Sequence, residues 1–403
     1  MTSVCTGSRD GANGDQGSIA IIGAGLGGLA AGLALVRDGW RVRIYEQAPV
    51  LGEVGAGITV STGAGRALQA LGVGAQVLSA SLPAPDIAFV HYRTGERLAG
   101  TFDGGAPRDL GFEGPRHIHR ADLHAILLAA VRALDPQAVI CGKKLEALTQ
   151  TSASVCAHFA DGDQAPADLL IGADGARSAV RSCILDAAPP QFAGQIAFRC
   201  LIPRERAAPF MGGGAAVVSI GGSRVFNRYL IRRGALVNVI GIAKSEGWSQ
   251  EGWNIPATVE EFRRQFEGFH AGVTGLIEQA PADHLVKWGL FVRPPIARWS
   301  QGRVILLGDA AHPILPFLGL GATLAIEDGV VLARALKAAA DIQAAFAAFQ
   351  AVRVPRVETV RLRSIEQGEI IQADEPLQRT VGNSPSQNTK IFDYDPTTAA
   401  LHI

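Results

Sequence analysis

Residues 18–36 read SIAIIGAGLGGLAAGLALV, nineteen residues without a charge. Such a run is long and apolar enough to pass for a membrane span or a signal peptide. Its glycines argue otherwise. Gly23, Gly25, Gly27 and Gly28 fall together, and each costs a helix interior about 1 kcal/mol relative to alanine. The residues before it include Arg9, Asp10 and Asp15 where a leader would carry a basic region. A buried strand over 18–22, a tight turn, and a helix to Val36 account for the run better. A second strand, RVRIYE (41–46), follows.

Gly23-x-Gly25-x-x-Gly28 in this strand–turn–helix–strand setting is the dinucleotide-binding fingerprint. Gly23 permits the turn, Gly25 lets backbone approach a pyrophosphate, and Gly28 lets the helix pack close to the strand. The helix N-terminus then offers free N–H groups and partial positive charge to the phosphates. Glu46 ends the second strand 18 residues after Gly28, placed to accept hydrogen bonds from a ribose diol. A 2′-phosphate is repelled there, which excludes an NADP-like resident. FAD and NAD both remain open at this point.

Composition narrows the class further. Lys+Arg and Asp+Glu number 37 each, so neither nucleic acid nor an anionic membrane surface is favoured. Five cysteines form no C-x-x-C pair, and the nine histidines form no H-E-x-x-H. They read as free thiols of a cytoplasmic protein with no metal site.

Three ordered segments carry a resemblance. IIGAGLGGLAAGLAL (21–35), GADGARSAVR (172–181) and GRVILLGDAAHPILPFLGLGATLAIEDGVVLARAL (302–336) resemble the signature segments of single-component FAD-dependent aromatic hydroxylases. These are the group A flavoprotein monooxygenases, and the salicylate hydroxylase-like branch is the most similar. The resemblance covers about residues 17–370. It implies that Asp309 holds the ribityl chain of FAD and that Arg120 reaches its phosphates. Pro313 would lie near the reactive face of the flavin. The N–H groups of Gly321 and Ala322, at a helix start, would face its pyrimidine end, where reduced flavin carries negative charge. Asp174 would contact FAD or the passing nicotinamide nucleotide, or else simply shape a turn.

The fold this implies is α/β. A Rossmann-like FAD-binding domain, p-hydroxybenzoate hydroxylase-like, carries an inserted, mostly antiparallel β-sheet substrate domain. The expected divisions are a disordered N-terminus (1–16), a discontinuous FAD-binding domain (17–85, 115–188 and 290–370), a substrate domain (86–114 and 189–289) and an irregular tail (371–403). Residues 257–279 read as helical and surface-lying. Only one dinucleotide fingerprint is present, so NADH or NADPH is expected to bind transiently as reductant. A homodimer stays open.

On the substrate side, matching RVFNRYLI (224–231) to the family puts a substrate-facing tyrosine at Tyr229. Strand alternation sets Val225, Asn227 and Tyr229 on one face. Relatives carry histidines where this chain has Val225 and Thr59, and a polar side chain where it has Leu320. The expectation is therefore an apolar pocket with Tyr229 as its main polar handle, Thr59 beside it, and no evident base. His312, beside the flavin, is open between a base and a packing or phosphate-side role, while His91, His117, His119 and His270 read as solvated or satisfied. The activity implied is insertion of one atom of O2 into an aromatic or electron-rich ring from a flavin C4a-hydroperoxide. Two alternatives stay open: a same-fold flavoenzyme performing epoxidation, N-hydroxylation or oxidation of a bulkier apolar substrate, and a non-catalytic flavin binder.

Overall fold

The computed structural model describes residues 17–403 except 53–54, 85–86, 99–108, 186–187, 213, 249, 251, 253 and 377–388. The N-terminal stretch 1–16, expected to be disordered, lies outside the described residues, as does much of the tail. The run 18–36 folds as the strand Ser18–Ile22 and the helix Leu26–Arg37. That strand sits inside a six-stranded sheet of order Ser300–Gln301, Val304–Leu306, Leu169–Gly172, Ser18–Ile22, Arg41–Glu46, Val139–Cys141. All its pairings are parallel apart from the Ser300–Gln301 edge. Central parallel strands are covered on both faces, which is why Ile19, Ile21 and Leu169–Ile171 read as continuous apolar runs.

The helix Leu26–Arg37 packs on Gly321–Ala338 through small residues. A Cβ on Gly329 would come 2.6 Å from the Ala31 nitrogen, so the two backbones are in contact. A thirty-residue helix, Ile342–Ile371, crosses behind them. Among the described residues no helix is long and apolar enough to cross a membrane.

A seven-stranded sheet forms the second layer. Its order is Ile255–Pro256, Val286–Val292, Gln191–Pro203, Leu236–Lys244, Arg224–Ile231, Ala216–Gly221, Ala88–His91, antiparallel except for the last pair. The strand Val286–Val292 runs through the division expected at 289/290 and pairs with Gln191–Pro203 on both sides of it. The two helices Val259–Gln265 and Ala271–Glu278 correct the surface-lying expectation for 257–279. Phe262, Phe266, Val273 and Ile277 are wholly buried against one face of the sheet, with Phe198 stacked on Phe262 at 4.8 Å. A capping box between Thr258 and Glu261 starts the first of them.

The other sheet face looks toward the dinucleotide-type domain. The strand Gly57–Val60 pairs with Arg116–His119 and ties the layers together, Gly57 N–H donating to Asn238 Oδ1 at 2.8 Å. The tail is partly docked: Ile391 is buried in the main core, and Arg334 donates to the Pro396 carbonyl at 2.8 Å.

Candidate active site

A cavity of about 880 Å³ separates the two layers, within the range of small-molecule and cofactor sites. The three fingerprint glycines meet it differently. Gly23 has φ +103°, and a Cβ there would strike the Ala173 carbonyl oxygen at 2.4 Å. A Cβ on Gly28 would lie 2.0 Å from the Gly23 carbonyl oxygen. These two glycines are demanded by the protein itself. Gly25 is not: it lines the cavity, and a Cβ there would meet nothing within 4 Å. The same open space lies over Gly175 and Gly321, both on the cavity wall. These three bare surfaces form a cradle for a ligand pressed against main chain.

Two helix N-termini open on this cradle, Leu26–Arg37 behind Gly25 and Gly321–Ala338 behind Leu320, and neither has a side-chain cap. Their first N–H groups are unsatisfied donors, which suits a pyrophosphate at one and an electron-rich ring edge at the other. Glu46 braces the fingerprint turn. Its carboxylate accepts from Ala24 N–H at 3.0 Å and Ala48 N–H at 2.9 Å, and each oxygen keeps a second lone pair. It stands beside the loop rather than on the cavity wall.

Arg120 and Asp309 both line the cavity. Burial lowers the Arg120 pKa, and Asp309 partly offsets this. Asp309 is exposed on the cavity wall, its carboxylate open to the lumen; desolvation by the surrounding fold raises its pKa, while His312 and Arg120 pull it down. Pro313, Gly321 and Ala322 line the same wall. Asp174 does not. Its carboxylate accepts from Ser178 Oγ at 2.5 Å and Val180 N–H at 3.1 Å, shaping the turn into the helix Ala179–Ile184. Its neighbours Ala173, Gly175 and Ala176 reach the lumen instead. Cradle, uncapped helix ends, paired cation and carboxylate together fit FAD. Among the described residues no cluster could hold a metal ion.

The substrate side is walled largely by apolar residues, but not by the two on which that expectation was built. Val225 packs among Phe89, Val218 and Ile220, and Leu320 is 1% exposed inside the main core; neither lines the cavity. The lumen shows Thr59, Asn227 and Tyr229, and beside them two residues that the sequence reading passed over. His117 lies across the strand pair from Thr59, its ring 4.1 Å from that of Tyr229. Burial holds its pKa down at about 3. Arg199 stands half-buried over the Trp288 ring, 5.1 Å from its centroid, and donates to Asn254 Oδ1 at 3.4 Å. No acidic side chain pairs with it among the described residues, and its pKa is lowered by burial and by Arg120. Tyr229 is buried, which raises its pKa, so its hydroxyl stays protonated. The alternation of RHIH (116–119) was the available signal for His117; nothing local signalled Arg199.

Comparison with known proteins agrees with this geometry. The FAD binding domain family matches residues 16–199 and 247–360. A 6-hydroxynicotinate 3-monooxygenase of Pseudomonas fluorescens is 36% identical over 350 residues, 85% of this chain and 89% of that protein. A 3-hydroxybenzoate 6-hydroxylase of Polaromonas naphthalenivorans is 33% identical over 369 residues, 91% and 90% of the two chains. A salicylate hydroxylase substrate complex superposes with a TM-score of 0.80 at 26% identity, covering 94% of this chain and 96% of that one.

Proposed function

Since the chain belongs to the FAD binding domain family and is an FAD-dependent aromatic-ring monooxygenase using O2 and NAD(P)H, we propose that its substrate is a hydroxylated aromatic acid whose carboxylate is received by Arg199. The observation that carries this reading is the guanidinium itself: a cation on the cavity wall with no acidic partner among the described residues. A half-buried cation on a cavity wall favours an opposite charge in the lumen, and a planar guanidinium matches a carboxylate in two hydrogen bonds. Relatives named for hydroxynicotinate and hydroxybenzoate support the same chemistry.

Bound FAD supplies the two-electron redox centre at which O2 is activated. The chain's own residues do the rest. Gly25 and the helix behind it would take the pyrophosphate, Arg120 a phosphate oxygen and Asp309 the ribityl chain, while Glu46, bracing the loop from beside the cavity, would reach the adenosine ribose with its remaining lone pairs. The Gly321 and Ala322 N–H groups would hold the pyrimidine edge of the flavin, where negative charge collects on reduction. Pro313 walls the reactive face. Tyr229 and Thr59 orient the substrate ring, and the apolar surround of Trp288, Leu290 and Phe317 excludes water. Asp174 acts through the turn it caps. Consumption of NAD(P)H and the reading of Cys141, Cys156, Cys183 and Cys200 as free thiols support a cytoplasmic setting.

The test follows NADH and NADPH oxidation by the yellow protein with 3-hydroxybenzoate, 6-hydroxynicotinate and salicylate, against phenol and resorcinol as uncharged controls. Product and peroxide are measured together. Acceleration by an acid, with product matching reductant, supports the reading. Preference for the uncharged rings, or peroxide matching reductant, contradicts it.

A further inference from the structure

We propose that His117 is the base that takes the proton from the ring hydroxyl of the substrate. The proposal rests on the hydroxyaromatic reading above. Its starting point is an imbalance among the buried histidines. His312 bonds Asp328 through Nε2, its Nδ1 buried without a partner, and His119 lies near Arg232 and Asp122. His117, 5% exposed, has no hydrogen bond at either ring nitrogen among the described residues, and it lines the cavity. Its nitrogens are not among the sealed, unsatisfied atoms of the interior but open on the lumen, where a ligand can meet them. The Tyr229 hydroxyl, also on the wall, has no protein partner either. Two adjacent, unpartnered polar groups facing one lumen describe a place for a hydroxyl: Tyr229 can donate to its oxygen while an imidazole nitrogen accepts its proton.

The surroundings suit this task. Arg116, on the same strand, points to Ser81 and Asp109. From the following helix, Asp122 is paired with Arg232. On the strand bearing Tyr229, Arg228 is turned to Ser219 on the other sheet face. The strands Gly57–Val60 and Leu82–Pro83, paired to that of His117, bring no titratable side chain. Arg120 and Arg199, together with the carboxylates of Glu113, Asp309 and Asp393, are the charged groups that share the lumen with it. The ring is neutral at any working pH because burial alone keeps its pKa at about 3, so a lone pair is always present.

Such a ring is a weak base toward bulk solvent. It becomes effective opposite the phenolate it creates, because the two new charges form together and offset each other in a dry site. In the step itself the substrate O–H bond breaks and an N–H bond forms on His117, while the electron pair stays on oxygen and enriches the ring. After oxygen insertion the displaced ring hydrogen moves as a proton to the ring oxygen, restoring aromaticity. The proton on His117 passes into the water that the overall reaction releases, and His117 ends neutral.

The experiment uses FAD-loaded wild type, His117→Gln and His117→Ala with 3-hydroxybenzoate and ring-fluorinated analogues whose hydroxyl is more acidic. Flavin retention reports folding of each variant. Near neutral pH both variants are expected to lose about 10²–10⁴-fold in hydroxylation rate. The loss should shrink as pH rises past the pKa of the substrate hydroxyl and for the fluorinated analogues, and added imidazole should partly restore His117→Ala. A loss equal at every pH and for every analogue, or no loss, overturns the assignment. Wild type that hydroxylates none of these probes overturns the substrate reading, and the base assignment with it.

Discussion

His312 Nε2 donates to Asp328 Oδ2 at 2.6 Å, locking the turn that carries Asp309 to the helix Gly321–Ala338. The same carboxylate accepts from Gly308 N–H at 2.8 Å and, on its other oxygen, from Arg353 Nε at 2.7 Å. Arg353 also bonds Glu327 at 2.9 Å, and the Tyr394 ring of the tail lies against Arg353 and Arg356. One buried ionic network therefore joins the proposed ribityl-binding turn, two long helices and the C-terminal tail.

Removing one member of such a network strands the others. Arg353→Met should cost about 3–5 kcal/mol in denaturant unfolding, because two wholly buried carboxylates lose the cation they share, leaving Glu327 to Arg356 and Asp328 to His312. A cost under 1 kcal/mol would mean that water or rearrangement reaches the site.

Acid should act through Asp328. Burial pushes its pKa up, but His312 and Arg353 overcome this and hold it at about 2, below the unfolded value of about 3.9. Its contribution is complete above that unfolded value and is lost as pH falls through about 2. Thermal melts between pH 5 and 2 should fall more steeply for wild type than for Asp328→Asn; parallel curves would remove Asp328 from the account.

The glycines should separate fold from cofactor. Gly25→Val fills open space, so the apoprotein should melt like wild type while flavin is lost during gel filtration. Gly28→Ala meets the Gly23 carbonyl and should destabilise the protein by about 1–3 kcal/mol. Equal flavin retention in Gly25→Val and wild type would remove the cradle reading.

Arg199→Gln should raise KM for 3-hydroxybenzoate about 10–100-fold, the equivalent of a charged hydrogen-bonded contact worth about 1.5–3 kcal/mol. KM for an uncharged phenol should hardly move. Steady-state kinetics on both rings checks this, and an equal rise for both would assign Arg199 to shape rather than charge.

What the sequence disclosed and what it hid divide along the range of the forces involved. The fingerprint was legible because Gly23 and Gly28 answer local collisions within one strand–turn–helix unit. Asp309 and Pro313 sit in another short, self-contained segment, and alternation correctly separated Asn227 and Tyr229 from Arg228. Position along the chain did not say which side chains reach the lumen. Val225 and Leu320 pack into cores, so the apolar part of the lumen is supplied by other residues, Trp288, Leu290 and Phe317 among them. Arg199 meets Trp288 only through the pairing of Gln191–Pro203 with Val286–Val292, far apart in sequence. His117 meets Tyr229 only where the strand Arg116–His119 approaches the large sheet. Arg353 carries no signal of its role in its own segment, because its partners Glu327 and Asp328 lie on a different helix.

The most direct test is turnover of 3-hydroxybenzoate with NAD(P)H under ¹⁸O2, with the product read by mass spectrometry. Incorporation of one ¹⁸O atom per product, with one reductant consumed, is the predicted result. Unlabelled product, or reductant consumed with only peroxide formed, would contradict the assignment of aromatic ring oxygenation to this substrate class.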